Sequence, residues 1–170
     1  MIELPRLAPQ LNGLSIAHLT DFHFLGTIGR AYFDEVVRLT NELEVDLVAI
    51  TGDLVDDPEY IDWIPETLGR LSSRYGAFVV LGNHDLKVKE HLGRLRQTLD
   101  TAGLQYLGGR SQVITVGGAE LLLAGNELPW FPPAADPRNF PPESVAGQRF
   151  RLLLAHSPDQ YAWARRHDFD

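Results

Sequence analysis

An α/β fold is the class this chain predicts, on two observations. Short apolar runs that read as buried strands alternate with stretches of helical periodicity, which implies parallel strands joined by right-handed crossovers. After Gly103 the pattern changes to short strands split by Gly-Gly pairs, which implies a hairpin whose antiparallel strands are added beside the parallel ones.

Residues 14–20, apolar with β-branched Ile16 and bounded by Gly13 and Asp21, read as the first buried strand. Tyr32, Val36, Leu39 and Leu43 then recur at helical spacing, with Phe33 and Val37 widening the stripe, as expected of a helix packed on a sheet. Residues 46–51 are a second buried strand, ending at Gly52. Asp57 and Pro58 read as a helix cap followed by proline in the first turn. Ile61, Ile64, Leu68 and Leu71 form the next face, and Pro65 inside it predicts a kink or two short helices. Residues 77–81 are a third buried strand, ending at Gly82. Val88, Leu92, Leu95, Leu99 and Ala102 make the third stripe, weakened at Gly93 by about 1 kcal/mol. Residues 104–107, 111–116 and 120–124 are short strands, and Gly117-Gly118 reads as a hairpin turn. Residues 126–150, stiffened by Pro129, Pro132, Pro133, Pro137, Pro141 and Pro142, predict a long ordered loop. Residues 151–155 are a last buried strand, and Ser157-Pro158 opens a short helix to about Arg166.

With no repeat and no boundary, the 170 residues read as one domain. The absence of cysteine excludes disulfide scaffolds, zinc ribbons and thiol catalysis, so any metal site must draw on His, Asp, Glu, Asn or water. A net charge of −8 argues against nucleic-acid or anionic-membrane binding. It does not exclude a phosphate substrate, because bound cations reverse the local field. No basic segment followed by an apolar core opens the chain, and no apolar run approaches the roughly 20 residues of a membrane span. As written, the expectation is a cytoplasmic protein, or a membrane-associated or exported one if an anchor or signal precedes this segment.

The chemistry sits after the strands. The first is followed by Asp21-Phe22-His23, the second by Gly52-Asp53-Leu54-Val55-Asp56, the third by Gly82-Asn83-His84-Asp85, and the last by His156. In open α/β sheets, ligands lie beyond the carboxyl ends of the strands. Carboxylate, imidazole and amide donors suit Mn, Fe or Zn rather than Ca or soft metals. Asp-x-His places two side chains on one side of an extended segment, because the side-chain period is 2. Glycines before Asp53 and Asn83 allow tight turns and close backbone approach. An Asp-x-His arises by chance in about half of such chains, whereas Gly-Asn-His-Asp arises on the order of once in a thousand.

With these motifs, and with Ala155-His156-Ser157-Pro158-Asp159, the chain resembles a calcineurin-like metallophosphoesterase from about Leu14 to its end. It is most similar to small bacterial phosphodiesterases of the YaeI type. The resemblance implies an α/β sandwich of two mixed β-sheets flanked by helices. It implies two divalent or trivalent metal ions (Mn, Fe or Zn), with Asp21 and His23 on the first, Asn83 and His156 on the second, and Asp53 bridging both. It further implies that His84 contacts the substrate phosphate or leaving group and that Asp85 orients His84. The implied reaction is hydrolysis of a phosphodiester or phosphomonoester by a hydroxide shared between the ions, on a small-molecule, lipid or nucleotide substrate. Asp56 reads as a structural turn residue.

The family pattern has one more motif, Gly-His-x-His, on the strand after the His156 helix. The expectation is therefore a domain incomplete at its C-terminal end, weakly metallated and inactive without that strand. Two alternatives stand beside this reading. One is an inactive remnant serving as a weak metal-binding or interaction module. The other is a non-metal α/β binding protein in which the strand-end cluster is coincidence.

Overall fold

The computed structural model describes Leu4 and residues 7–144 and 149–170. Strands β1 (Ile16–Leu19), β2 (Leu47–Thr51), β3 (Ala77–Val80) and β4 (Gln105–Tyr106) form one sheet in that order, parallel throughout. Strands β5 (Ser111–Val116), β6 (Ala119–Asn126) and β7 (Arg149–Ala155) form a second, in which β5 is antiparallel to β6 and β7 is parallel to it. The expected pair of sheets is present, but only the second is mixed. Each link within the first passes through helical segments, α1 (Arg30–Glu42), α2 (Trp63–Glu66) and α3 (Leu92–Thr101), and such crossovers keep strands parallel. Nor does the hairpin extend the first sheet; it pairs with β7 instead. A last helix, α4 (Tyr161–Arg166), follows β7.

Two layers of core explain why β2 and β3 read as unbroken apolar runs. Val48, Ile50 and Val79 pack with Phe33, Val37, Leu95 and Leu99 on the helical side. Leu47, Phe78 and Val80 pack with Leu121, Leu123, Phe150 and Leu154 of the second sheet. With both faces covered, alternation gives no polar positions.

The short elements follow the local chemistry. Asp57 caps a 3-10 turn, Pro58–Asp62, by accepting from Glu59 N–H at 2.9 Å. Pro65 limits α2 to four residues, followed by a 3-10 turn, Leu68–Arg70. Gly117 and Gly118 both have positive φ, 57° and 92°, as a tight hairpin turn requires. Part of the expected 126–150 loop, residues 145–148, lies outside the described residues, as do most of residues 1–6. Among the described residues, no helix is long and apolar enough to cross a membrane.

The buried face of α1 differs from the expected one. Phe33, Val37 and Thr40 are buried, whereas Tyr32, Leu39 and Leu43 are exposed. The two stripes lie one residue apart, so periodicity alone does not choose between them. The aromatic partners choose: Phe33 meets Phe24 at 4.7 Å and Phe22 and Trp63 at 6.2 Å between centroids. Thr40 tolerates burial because its hydroxyl donates to Val36 O at 2.8 Å. Phe33→Ala is therefore expected to destabilise the domain by about 3–5 kcal/mol, and Leu43→Ala by less than about 0.5. Denaturant titration of both variants checks this, and the reverse order would restore the Tyr32 face as the core.

Candidate metal centre

The backbone at the strand ends carries strain. Asp21, His23 and Asp53 have φ of 58°, 47° and 55°. Each left-handed residue other than glycine costs of order 1–3 kcal/mol, and such residues cluster at functional sites. The period-2 account of Asp-x-His is thereby corrected, since β1 ends at Leu19 and both residues are left-handed rather than extended. Hydrogen bonds to the neighbouring loop hold them there. Asp21 N–H donates to Gly52 O at 3.1 Å, and His23 N–H to Asp53 O at 2.9 Å.

Glycine is required on both sides of this junction. A Cβ on Gly52, whose φ is +94°, would lie 2.7 Å from Gly82 Cα and 2.9 Å from His156 Nδ1. One on Gly82 would lie 2.7 Å from Asp53 N and 2.9 Å from His156 Cγ, and closer still to Asp53 Oδ1. The expected close approach of backbones is thus between these two glycines, with Asp53 and His156 seated against them.

Asp53, almost fully buried, lies between two groups of donors. Its Oδ2 is 3.7 Å from His23 Nε2, which is 3.5 Å from Asp21 Oδ1. Its Oδ1 is 3.5 Å from His156 Nε2, which is 3.0 Å from Asn83 Oδ1. The ring of His156 is fixed from behind, since Nδ1 donates to Thr51 O at 2.6 Å, which turns Nε2 toward Asp53 and Asn83. This is how ligating histidines are oriented. Asp21, His23 and Asp53 each offer a donor atom within 4.8 Å of the others.

Asp56 is the residue the sequence reading missed. Its buried carboxylate faces His23 Nδ1 at 3.2 Å, His84 Nδ1 at 3.1 Å and Lys87 Nζ at 2.7 Å. Burial pushes its carboxyl up, but the hydrogen bonds from Lys87, His23 and His84 outweigh this and bring it below the ordinary aspartate value. His23, Asp56 and His84 also stand close enough to share a cation. The Lys87 ammonium, within hydrogen-bond reach of Asp56 and His84, repels one there.

Asp85 is spent on the backbone. Its fully buried carboxylate accepts from the N–H of Asp53, Leu54 and Val55, each at 3.0 Å, and of Gly82 at 2.8 Å. It makes no hydrogen bond to His84, so the expected orienting role passes to Asp56. Burial pushes the Asp85 carboxyl up to about 6, against these hydrogen bonds. Glu127 and Trp130, in the segment after β6, pack beside these residues. Trp130 meets the His156 ring edge-on at 5.6 Å, and buried Glu127 accepts from Leu81 N–H at 2.6 Å and Tyr106 O–H at 2.7 Å. Burial pushes the Glu127 carboxyl up.

Residues 14–168 match the family profile of calcineurin-like phosphoesterase. The chain belongs to that family. A Bos taurus "Transmembrane protein with metallophosphoesterase domain" is 41% identical over 87 residues, 49% of this chain and 20% of that protein. A Helicobacter pylori "Uncharacterized metallophosphoesterase" is 32% identical over 154 residues, 86% of this chain and 39% of the relative. Among solved structures, Phosphopantetheinyl Hydrolase from Mycobacterium tuberculosis aligns with a TM-score of 0.46 at 16% identity, covering 92% of this chain and 52% of that one. The chain thus spans well under half the length of these curated relatives. Membership implies divalent metal ions, and the donor set fits them: carboxylates, imidazoles and an amide oxygen, with one histidine held by a backbone carbonyl.

Gly82→Ala is expected to abolish metal binding while Tm falls only moderately. The φ of −113° admits alanine, but the added methyl displaces Asp53 and His156. Elemental analysis beside a melting curve checks this; wild-type metal content would show that the loops open without cost.

Proposed function

We propose that the domain is a metal-dependent phosphoric ester hydrolase acting on phosphodiesters, through two metal ions that share Asp53. The observation that carries this reading is the position of Asp53, with one oxygen toward Asp21 and His23 and the other toward Asn83 and His156. These five residues would hold the ions, and Mn, Fe or Zn suits their donors. When bound, such ions acidify water and neutralise phosphoryl oxygens.

The remaining work falls to side chains. His84 hydrogen-bonds through Nδ1 alone, leaving Nε2 as the group that donates to a phosphoryl or leaving-group oxygen. Its own N–H donates to Asp53 Oδ1 at 2.8 Å, which ties the ring's position to that carboxylate. Asp56 orients His84 and His23 together. The phosphoester class, whether small-molecule, lipid or nucleotide, follows from relatives described as metallophosphoesterases. Asp53→Ala is expected to lose all bound metal and all turnover. His84→Ala should keep its metal and lose roughly 10²–10⁴ in kcat on an aryl phosphodiester. Metal analysis and steady-state kinetics decide it: an Asp53→Ala protein with wild-type metal content sinks the shared-ligand reading, and a fully active His84→Ala protein removes that residue from the chemistry.

The further Gly-His-x-His strand belongs to the same proposal. Each group of donors offers three protein ligands, and a His-x-His pair would add one to each. Among the described residues β7 is a sheet edge, and Asp170 N–H already donates to Arg151 O at 3.0 Å on that edge. A cavity of about 640 Å³ lies alongside, lined by Leu152, Leu153, Ala155, Tyr161 and Phe169 among others. A polypeptide carrying that strand after Asp170 is expected to bind metal more tightly, melt higher and turn over faster than residues 1–170 alone. Equal metal stoichiometry and equal rates for the two lengths would show that the 170 residues complete the site themselves.

A further inference from the structure

We infer that Glu127 is a positioning residue that locks the end of the second sheet to the turn after β3, and so brings Asn83 and His156 together as one donor group. It touches neither metal nor substrate. The inference rests on the two-ion reading only for what those donors hold; the contacts themselves stand apart from it.

Register places the residue. Asn126 of β6 pairs with Ala155 of β7, so the next residues on the two strands, Glu127 and His156, leave the ladder side by side. From there the Glu127 side chain, 1% exposed, crosses to the first sheet. Its Oε1 accepts from Leu81 N–H at 2.6 Å, and its Oε2 accepts from Tyr106 O–H at 2.7 Å. Leu81 follows the last residue of β3 and stands two before Asn83, and Tyr106 ends β4. One carboxyl thus ties the second sheet to the ends of two strands of the first. Its seat is kept open by Gly108, where a Cβ would collide with Glu127 Oε2 and Tyr106 Oη. A carboxyl offers Leu81 an acceptor whether charged or neutral, so the tie does not depend on its protonation.

What the tie controls is the turn that carries Asn83. Leu81 and Gly82 present consecutive N–H groups, and each goes to a different buried carboxyl, Leu81 to Glu127 and Gly82 to Asp85. Asp85 belongs to the turn itself, so it fixes the turn against the β2 loop and not against the second sheet. The bond from His156 to Thr51 crosses between the sheets at β2, which leaves Glu127 as the crossing at β3. Across that junction Asn83 Oδ1 lies 3.0 Å from His156 Nε2. His156 is steadied from the same residue, because Glu127 O accepts from Trp130 N–H at 3.0 Å and the Trp130 ring stands against the imidazole. Among the described residues, no hydrogen bond of Glu127 goes to the turn after β1 that carries Asp21 and His23. Groups that orient ligands without binding the ion typically carry 10–100-fold in metal affinity. Here that effect falls on one ion and spares the other.

The test is calorimetric titration of the metal-free chain with Mn²⁺, beside amide hydrogen exchange without metal. Glu127→Leu keeps bulk and removes both acceptors. It should weaken one Mn²⁺ by about 10–100-fold and leave the other unchanged. In the same variant Gly82 and His84 N–H, which donate to Asp85 and Asp53, should exchange faster than the global loss of stability accounts for. Glu127→Gln keeps an acceptor for Leu81 and should recover most of the affinity. Gly108→Ala displaces the Glu127 carboxyl from the other side, should reproduce the selective loss, and decides the matter if Glu127→Leu does not fold. Leu99→Ala opens a cavity on the helical side of the core and should not separate the two affinities. Two unchanged affinities in Glu127→Leu or Gly108→Ala, equal weakening of both ions, no recovery in Glu127→Gln, or the same selective loss in Leu99→Ala overturns the inference. A wild-type chain that takes up a single Mn²⁺ would fail the two-ion reading instead, and the exchange of Gly82 and His84 would still decide the role of Glu127.

Discussion

The carboxylate of Asp85 holds the centre together. Four backbone N–H groups, three from the turn after β2 and one from the turn after β3, converge on its two oxygens in a fully buried position. Without that acceptor, each N–H would be left unpaired at about 1–3 kcal/mol. With it, Asp53, Leu54 and Val55 are fixed against Gly82, and Asp53 has no freedom to swing away from His156. Burial raises this carboxyl to about 6, and the charge on Asp53 adds to the rise. The sign follows: with the folded value above the unfolded one, the group's contribution to stability is present below about pH 4 and is lost as pH rises through about 6. At neutral pH the clamp is therefore held under electrostatic load, against a geometry that only an acceptor with two oxygens satisfies.

Strained backbone is tolerable only where something of this kind fixes it. Asp21, His23 and Asp53 all sit in the left-handed region, and all three belong to turns tied by Asp85 or by hydrogen bonds to the β2 loop. The face-to-face glycines complete the junction, since neither Gly52 nor Gly82 leaves room for a methyl group. The parallel sheet sets the coarse position by bringing three strand ends to one edge. The turns set the fine position, and their cost is carried by the two apolar layers behind them.

Much of this was legible in the chain, for identifiable reasons. Strands β2 and β3 were visible because burial on both faces leaves an unbroken apolar run, and the glycines after them marked where each must turn. Asp53 and Asn83 were visible because each follows one of those glycines, and Asp21, His23 and His156 because they follow apolar runs. The face of α1 was not, because its two candidate stripes are both apolar and lie one residue apart; aromatic packing around Phe33 chose between them. The roles of Asp56 and Asp85 were exchanged because spacing shows that two acids are near without showing which faces backbone and which faces histidine.

Charge shows how so acidic a chain could be built around the anionic substrate proposed for it. Asp21, Asp53, Asp56 and Asp85 stand around three imidazoles and one ammonium, and Asp53 and Asp56 both belong to the short segment after β2. Left to themselves, these carboxylates repel a phosphate and one another, and the upward shift of Asp85 records part of that repulsion. Cations held by Asp21 and Asp53 would invert the field at the mouth of the site and relieve the load on Asp85 at once. Binding and folding are then one equilibrium, as in other sites whose ligands repel before the ion arrives. The acidity that argues against nucleic acid over the rest of the surface is, at this edge of the sheet, what the proposed metal centre would require.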